Sequence, residues 1–130
     1  MLMPALTYAV NQTRANFPVG LWDTYHYKMG VKSLTSTPTQ IYVCIQPNGT
    51  WQSINSPDGM GGRWIRVGNS VHLSGNTVGN GGSGEVSLVK PYFSMAGTWQ
   101  SWSLKQPAKQ HLSFTSHWEL LSIKSCIPPK

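Results

Sequence analysis

Residues 41–54 read IYVCIQPNGTWQSI, which is two β-prone runs joined by a turn. The Asn-Gly pair near the centre is a strong short-range hairpin signal, because both residues tolerate the positive φ angles of a two-residue type I′ turn. A two-residue turn here predicts that Val43 pairs with Ile54. Because side chains alternate between the two faces of a strand, this register would place Trp51 on the face opposite to Val43.

Short runs of apolar, aromatic and β-branched residues continue along the chain, and no window shows a convincing helical period. Gly68-Asn69 separates two of these runs as a second two-residue hairpin turn. The runs are residues 21–27, 41–46, 51–54, 62–67, 70–74, 85–90, 97–104 and 112 to about 126. They predict an all-β fold, a single antiparallel up-and-down β-barrel of about eight strands, because closing the sheet removes its exposed edges. A β-sandwich is the alternative.

The chain divides into a short first segment and one domain. Residues 1–18 show no strong periodicity and end at a proline, so we expect a partly ordered N-terminal arm. Residues 19–130 are predicted to form a single β-barrel domain. Two stretches rich in turn residues, 55–62 and 75–84, are predicted to be loops. The second holds five glycines and is predicted to be a flexible connection or a glycine-rich lid.

The composition is that of a folded domain with a polar, weakly charged surface. Only 11% of the residues are charged, and six Trp, five Tyr and three Phe argue against disorder. The net charge is +6, but the ten Lys and Arg residues are scattered along the chain. A nucleic-acid surface needs clustered positive charge, so we do not expect a nucleic-acid partner. Weak polyanion binding is kept as the third functional hypothesis.

The two cysteines, Cys44 and Cys126, are too far apart for a metal knuckle or a redox pair. In an oxidising compartment they would bond and close a loop of about 80 residues, and in a reducing one they would be buried free thiols. The Ser/Thr/Gly-rich composition favours a secreted, periplasmic or virion-associated protein. The first ten residues lack the basic region of a complete signal peptide. The sequence contains no run of 18 apolar residues, which a membrane-spanning helix would need.

Gly-x-Trp occurs four times, and the first copy, Gly20-Leu21-Trp22, opens the first predicted strand. This copy resembles the Gly-x-Trp motif that opens the first barrel strand of lipocalins, and avidin-like barrels begin similarly. The resemblance to these calycin-type barrels rests on the tripeptide and the strand count. It implies a barrel in which Gly20 and Trp22 have structural roles, with Trp22 as the plug at one end.

No group of residues in the sequence forms a recognisable catalytic or metal-binding motif. The chain has only four carboxylates, and Asp58 among them is explained by its Pro-Asp-Gly turn. On one extended strand His111 and His117 would lie roughly 20 Å apart, which is too far for shared metal ligation. No Gly-x-Ser-x-Gly motif is present. We therefore expect a protein that is not an enzyme and has no metal and no cofactor.

The pentapeptide Gly-Thr-Trp-Gln-Ser occurs at residues 49–53 and again at residues 97–101. The repeat indicates either a duplicated half-barrel with equivalent ligand sites or two hairpins that converged on one turn-to-strand solution. Trp51 and Trp99, the tryptophans of this repeat, are the leading candidates for ligand binding. Trp102 and Tyr42 are the further candidates.

The leading functional hypothesis is a non-enzymatic binding protein that holds a small hydrophobic molecule or a sugar in the barrel mouth, using Trp and Tyr. The alternative is a protein-interaction module, such as an inhibitor, an immunity-type partner or a secreted or virion accessory protein. That module would recognise a protein partner through loops 55–62 and 75–84.

Overall fold

The structure is a computed structural model that describes residues 16–29, 38–54, 59–90, 93–105 and 112–127. Within these ranges the chain forms eight antiparallel strands, each paired with the next, and the last strand pairs with the first to close a barrel. The strands are β1 (Gly20–Lys28), β2 (Thr39–Ile45), β3 (Thr50–Ile54), β4 (Gly61–Val67), β5 (Ser70–Asn76), β6 (Asn80–Lys90), β7 (Ser94–Ser103) and β8 (Leu112–Ser122). The predicted up-and-down barrel is confirmed, and closure of the sheet excludes the β-sandwich.

The turn between β2 and β3 differs from the predicted two-residue turn. Gly49 N–H donates to the Gln46 carbonyl, and Gln46 N–H donates to the Thr50 carbonyl, so the loop holds three residues. Pro47 supplies the fixed φ that the first central position of a type I turn needs. Gly49, at φ 87°, then takes the left-handed position that follows such a turn.

The additional loop residue changes the register of the hairpin. Val43 pairs with Ser53 and not with Ile54, and Ile45 pairs with Trp51. Trp51 therefore lies inside the barrel with Val43 and Ile45, and only 5% of it is exposed. The prediction that Trp51 lies on the opposite face is wrong, because a one-residue shift moves every side chain of a strand to the other face.

The predicted turn between β4 and β5 is confirmed. Val67 pairs with Ser70 across Gly68-Asn69, and Trp64 pairs with Leu73. Gly68 has a φ of 61°, as the first position of this turn requires.

The glycine-rich stretch 75–84 is not a loop. β5 runs to Asn76 and β6 begins at Asn80, so only three residues connect the two strands. Four of its five glycines pair with neighbouring strands, and these are Gly75, Gly81, Gly82 and Gly84. The prediction of a flexible loop or lid is therefore wrong. Of the other predicted loop, residues 55–58 lie outside the described residues, and its last two residues belong to β4.

One end of the barrel is closed by residues that precede β1. Phe17 is 2% exposed and packs edge-on against Trp22, with ring centroids 6.4 Å apart. The Trp22 indole N–H donates to the Pro18 carbonyl at 2.8 Å. The Arg66 guanidinium lies 5.0 Å from the centre of the Phe17 ring and donates to the Phe17 carbonyl at 3.1 Å. These contacts tie the end of the predicted N-terminal arm to the barrel, while residues 1–15 lie outside the described residues.

The segment after β8 covers part of the outer surface of the barrel. Leu21 alternates with the inward Trp22, so it faces outward, yet it is only 1% exposed. Its cross-strand partner Cys44 forms a disulfide with Cys126, with the two Cα atoms 5.6 Å apart. The last residue of β8 explains Gly20, which has a φ of 145° and where a Cβ atom would lie 2.5 Å from the Ser122 carbonyl oxygen.

Candidate ligand-binding cavity

A cavity of about 280 Å³ lies inside the barrel, at the end opposite to Phe17. It opens among the strand ends, at Thr39 of β2, Asn80 of β6 and Leu112 of β8. Most of its walls are inward side chains of β1, β2, β3, β7 and β8. The lining residues are His26, Thr39, Ile41, Val43, Trp51, Ser53, Met60, Asn80, Trp99, Ser101, Leu112, Phe114 and Trp118.

The two tryptophans of the repeated pentapeptide meet inside the barrel. β3 and β7 are four strands apart in either direction around the closed sheet. Trp51 and Trp99 project inward from them and pack edge to face, with ring centroids 5.7 Å apart and an interplanar angle of 88°. Ser53 and Ser101, two residues further along each copy, also line the cavity. The repeat therefore contributes matching side chains to one site.

The glycines of β5 and β6 make room for these indoles. A Cβ atom on Gly75 would lie 2.7 Å from the Trp51 ring, and one on Gly82 would lie 2.6 Å from the Trp99 ring. A Cβ atom on Gly84 would also lie 2.4 Å from the Trp99 ring. The indoles thus cover the backbone of these glycines, and a larger residue at any of the three positions would push the indole away. Covering glycine with an aromatic ring is a known way of stabilising it within a sheet.

His26 is held in the cavity wall by two hydroxyl groups. The Thr24 hydroxyl donates its proton to the Ile41 carbonyl at 2.7 Å, so its oxygen accepts a hydrogen bond from His26 Nε2 at 2.9 Å. Burial keeps the imidazole neutral, so His26 Nδ1 is then unprotonated and accepts from the Ser116 hydroxyl at 2.7 Å. These hydrogen bonds select the tautomer protonated on Nε2. Burial in the barrel lowers the pKa of His26 from 6.5 to about 4, because it disfavours the charged form.

The lowered pKa of His26 predicts a loss of stability in acid. Between pH 6.5 and pH 4 the unfolded chain binds this proton and the folded protein does not. The free energy of unfolding should therefore fall by up to about 3 kcal/mol as the pH is lowered through this window, and the contribution is fully present above it. His26→Gln removes the titrating group, so its stability should depend less steeply on pH. Urea denaturation at a series of pH values measures both slopes.

His72→Gln is the matched control for that experiment. His72 lies on the outer face of β5, 3.6 Å from Glu85, and its loss leaves the cavity wall intact. In this control the free energy of unfolding should depend on pH as steeply as in the wild type, and more steeply than in His26→Gln. Equal slopes for wild type and His26→Gln would contradict the assignment.

The cavity is apolar and carries no charge. None of its lining residues is Asp, Glu, Lys or Arg, and His26 is neutral at physiological pH. Within the described part of the chain, no three His, Cys, Asp or Glu side chains are grouped so that they could hold a metal ion. The polar groups of the mouth are the side chains of Thr39, Asn80 and Ser101. The site is thus suited to an uncharged molecule with an apolar inner end.

The predicted ligand-binding residues divide between the two faces of the sheet. Trp51 and Trp99 line the cavity. Tyr42 lies on the outer face of β2, where it pairs with Asp23 of β1. Trp102 lies on the outer face of β7, and its indole covers Gly81, where a Cβ atom would lie 2.5 Å from the ring nitrogen. The structure therefore brings two of the four predicted residues into the cavity.

Three cavity residues that the sequence reasoning did not single out for binding are His26, Phe114 and Trp118. The His26 ring centroid lies 6.3 Å from that of Trp99 and 6.5 Å from that of Phe114. The alternation that starts at the inward Trp22 would have placed His26 inside, because it lies four residues further along β1. The place of Phe114 and Trp118 depends on the pairing of β8 with β1, for which the sequence has no local signal.

A second depression lies on the outer surface of β4 to β7. It is lined by polar and charged side chains such as Arg63, Glu85 and Gln100, and its volume is about 490 Å³. It lies against solvent on the outside of the sheet, where a small ligand would bury little of its surface. Small-molecule sites usually bury most of the ligand, so the interior cavity is the better candidate.

Fold and site together define an eight-stranded up-and-down barrel that is closed at one end and holds an aromatic, uncharged cavity at the other. No protein-family model matches the chain, and a search of curated proteins returned no significant match. No helix long and apolar enough to cross a membrane occurs among the described residues.

Proposed function

We propose that this protein is a non-enzymatic binding protein that holds a small uncharged ligand, a hydrophobic ring compound or a sugar, in the mouth of its barrel. The observation that carries the proposal is the cavity lined by Trp51, Trp99, Trp118 and Phe114 at the open end. Aromatic walls with a few polar groups at the opening are typical of sites for small molecules.

The size of the cavity limits the ligand. A volume of about 280 Å³ lies just below the usual range for small-molecule sites, which begins at about 300 Å³. Charged ligands are disfavoured, because no lining residue offers an opposite charge and burial of an unpaired ion is costly. A single ring or two fused rings with polar groups toward the mouth fits these limits.

Blocking the cavity should abolish binding. Ser101 projects inward and lines the cavity near its mouth, so Ser101→Trp would fill the space that a ligand needs. We expect at least a tenfold loss of affinity for any ligand that binds the wild type there. Naphthalene, quinoline and a panel of neutral monosaccharides serve as probes, measured by calorimetry and ligand-observed NMR. These readouts do not depend on the added tryptophan.

Gln100→Trp is the matched control, because Gln100 is the neighbouring residue, is exposed and faces outward. It should leave the affinity within about twofold of wild type. Unchanged binding by Ser101→Trp, or no binding of any probe by the wild type, would overturn the proposed function.

Membership of the calycin-type barrels and export from the cytoplasm belong to the same proposal. Gly20-Leu21-Trp22 opens β1, and Trp22 fills the closed end, as the resemblance to lipocalins implies. The bond between Cys44 and Cys126 supports a secreted, periplasmic or virion-associated location, because disulfides persist in oxidising environments. Alkylation of the cysteines in freshly lysed producing cells tests the location, since a cytoplasmic protein would be labelled at both thiols.

A further inference from the structure

The depression on the outer surface of β4 to β7, which we call the outer trough, is formed by two rows of cross-strand neighbours. The first row crosses the four strands as Arg63, Ser74, Ser83 and Gln100, and the second as Ile65, His72, Glu85 and Thr98. All eight residues line the trough. Two small serines lie in the middle of the first row between longer side chains, so the surface is hollow there. The rows are roughly 14 Å long, because neighbouring strands lie about 4.8 Å apart.

The side chains of the outer trough offer hydrogen-bonding groups to a ligand. Within the described part of the chain, no hydrogen bond involves the side chains of Arg63, Ser74, Ser83, Thr98 and Gln100. Arginine only donates hydrogen bonds, glutamate only accepts them, and serine, threonine and glutamine do both. Arg63 and Glu85 carry opposite charges, so the trough has no net charge when His72 is neutral.

A tryptophan ring lies beside the trough, on the side of the open end of the barrel. One row further along the strands, Asn76 pairs with Gly81, and Gly81 pairs with Trp102. The Trp102 ring covers Gly81 and is partly exposed. A sugar ring has an apolar face that packs against such an indole, and hydroxyl groups at its edge that bond to side chains like those of the trough.

We propose that the outer trough is a second ligand site, separate from the cavity, and that it binds a neutral oligosaccharide lying across β4 to β7. A single small molecule would bury little of its surface in the trough, but an oligosaccharide makes contacts along its whole length. Glu85 disfavours an anionic polymer by repulsion. A protein partner is disfavoured because the centre of a protein interface is apolar, whereas Ile65 is the one large apolar side chain of the two rows.

Maltohexaose, cellohexaose, xylohexaose and N-acetylchitohexaose are the probes, and calorimetry measures their affinity. We expect at least one of them to bind about tenfold or more tightly than its monosaccharide, because only the oligosaccharide spans the four strands. Ser83→Ile puts a bulky side chain without hydrogen-bonding groups into the middle of the trough, and should weaken this binding by about tenfold or more. Ser87→Ile is the matched control, because Ser87 lies on the same strand beyond Glu85 and does not line the trough. It should leave the affinity within about twofold of wild type.

NMR of the ¹⁵N-labelled wild type gives a second readout that needs no variant. The bound oligosaccharide should shift the Gln100 side-chain amide and the backbone amides of Ser74 and Ser83, and leave that of His26 unchanged. If Ser83→Ile does not fold, this measurement decides alone.

The inference is overturned if none of the four oligosaccharides binds, or if Ser83→Ile binds as the wild type does. It is also overturned if a heparin hexasaccharide binds more tightly than all four and loses affinity steeply with salt, which would indicate an anion site. Ser101→Trp separates the two sites, because it blocks the cavity and should leave oligosaccharide affinity within about twofold of wild type. If Ser101→Trp abolished oligosaccharide binding instead, the sugar would enter the cavity, which would overturn this inference and support the proposed function.

Discussion

Replacing both Cys44 and Cys126 with alanine is expected to lower the free energy of unfolding by about 4 kcal/mol. The disulfide joins residues that are 82 positions apart, so it removes much of the conformational entropy of the unfolded chain. It also ties the segment after β8 to the outer face of β2, at Cys44, the cross-strand partner of Leu21. Urea denaturation of the wild type and the double variant, followed by Trp fluorescence, measures the difference.

The reduced wild type is the control for the double variant. Wild type unfolded in the presence of a strong reductant should match Cys44→Ala/Cys126→Ala within about 1 kcal/mol, because both lack the same cross-link. If the free energy of unfolding of the double variant were less than about 1 kcal/mol below that of the oxidised wild type, the bond would contribute little to stability.

Trp22→Ala is expected to lower the free energy of unfolding by about 3–5 kcal/mol. Trp22 is fully buried at the closed end, and it contacts both Phe17 and Trp118, with ring centroids 6.4 and 6.2 Å away. Its loss leaves a cavity in the core and removes the hydrogen bond that holds the Pro18 carbonyl. Urea denaturation measures the change, and the free energy of unfolding of Trp22→Phe should lie between those of Trp22→Ala and the wild type.

Trp102→Ala removes the same atoms from the outer face of the barrel and serves as the matched control. It should cost only about 1 kcal/mol, because no core cavity is formed. Equal losses for Trp22→Ala and Trp102→Ala would mean that Trp22 does not support the closed end as its contacts indicate.

Much of the fold could be predicted because its signals are local. Alternating apolar and polar residues identify strands within a few positions, as in β5, where Val71 and Leu73 are buried and His72 faces outward. Gly68-Asn69 specifies its hairpin because the turn type depends only on the two residues that form it. Eight strands in sequence then favour closure, because an open sheet leaves two edges unpaired.

Two predictions were wrong, the register of the β2–β3 hairpin and the loop at 75–84, because in each the local sequence pattern is compatible with two structures. Pro47 extends the turn at Asn-Gly from two residues to three, and this single residue moves Trp51 from the predicted outer face to the interior. Residues 75–84 have the composition of a loop, yet four of their five glycines lie in β5 and β6, and Gly75, Gly82 and Gly84 lie beneath Trp51 and Trp99. Their conformation depends on indoles from other strands, which a local reading of the glycines does not take into account.

The sequence alone determined that Gly20-Leu21-Trp22 opens a barrel strand, that strands follow one another as hairpins, and that Trp51 and Trp99 are a matched pair. Each of these follows from residues close together in the chain. Only the tertiary structure decided that Trp51 and Trp99 touch, that His26 and Trp118 share their cavity, and that Trp102 and Tyr42 lie outside it. The physical reason is that barrel closure and strand register, which are set by pairings across tens of residues, choose the face on which each side chain lies.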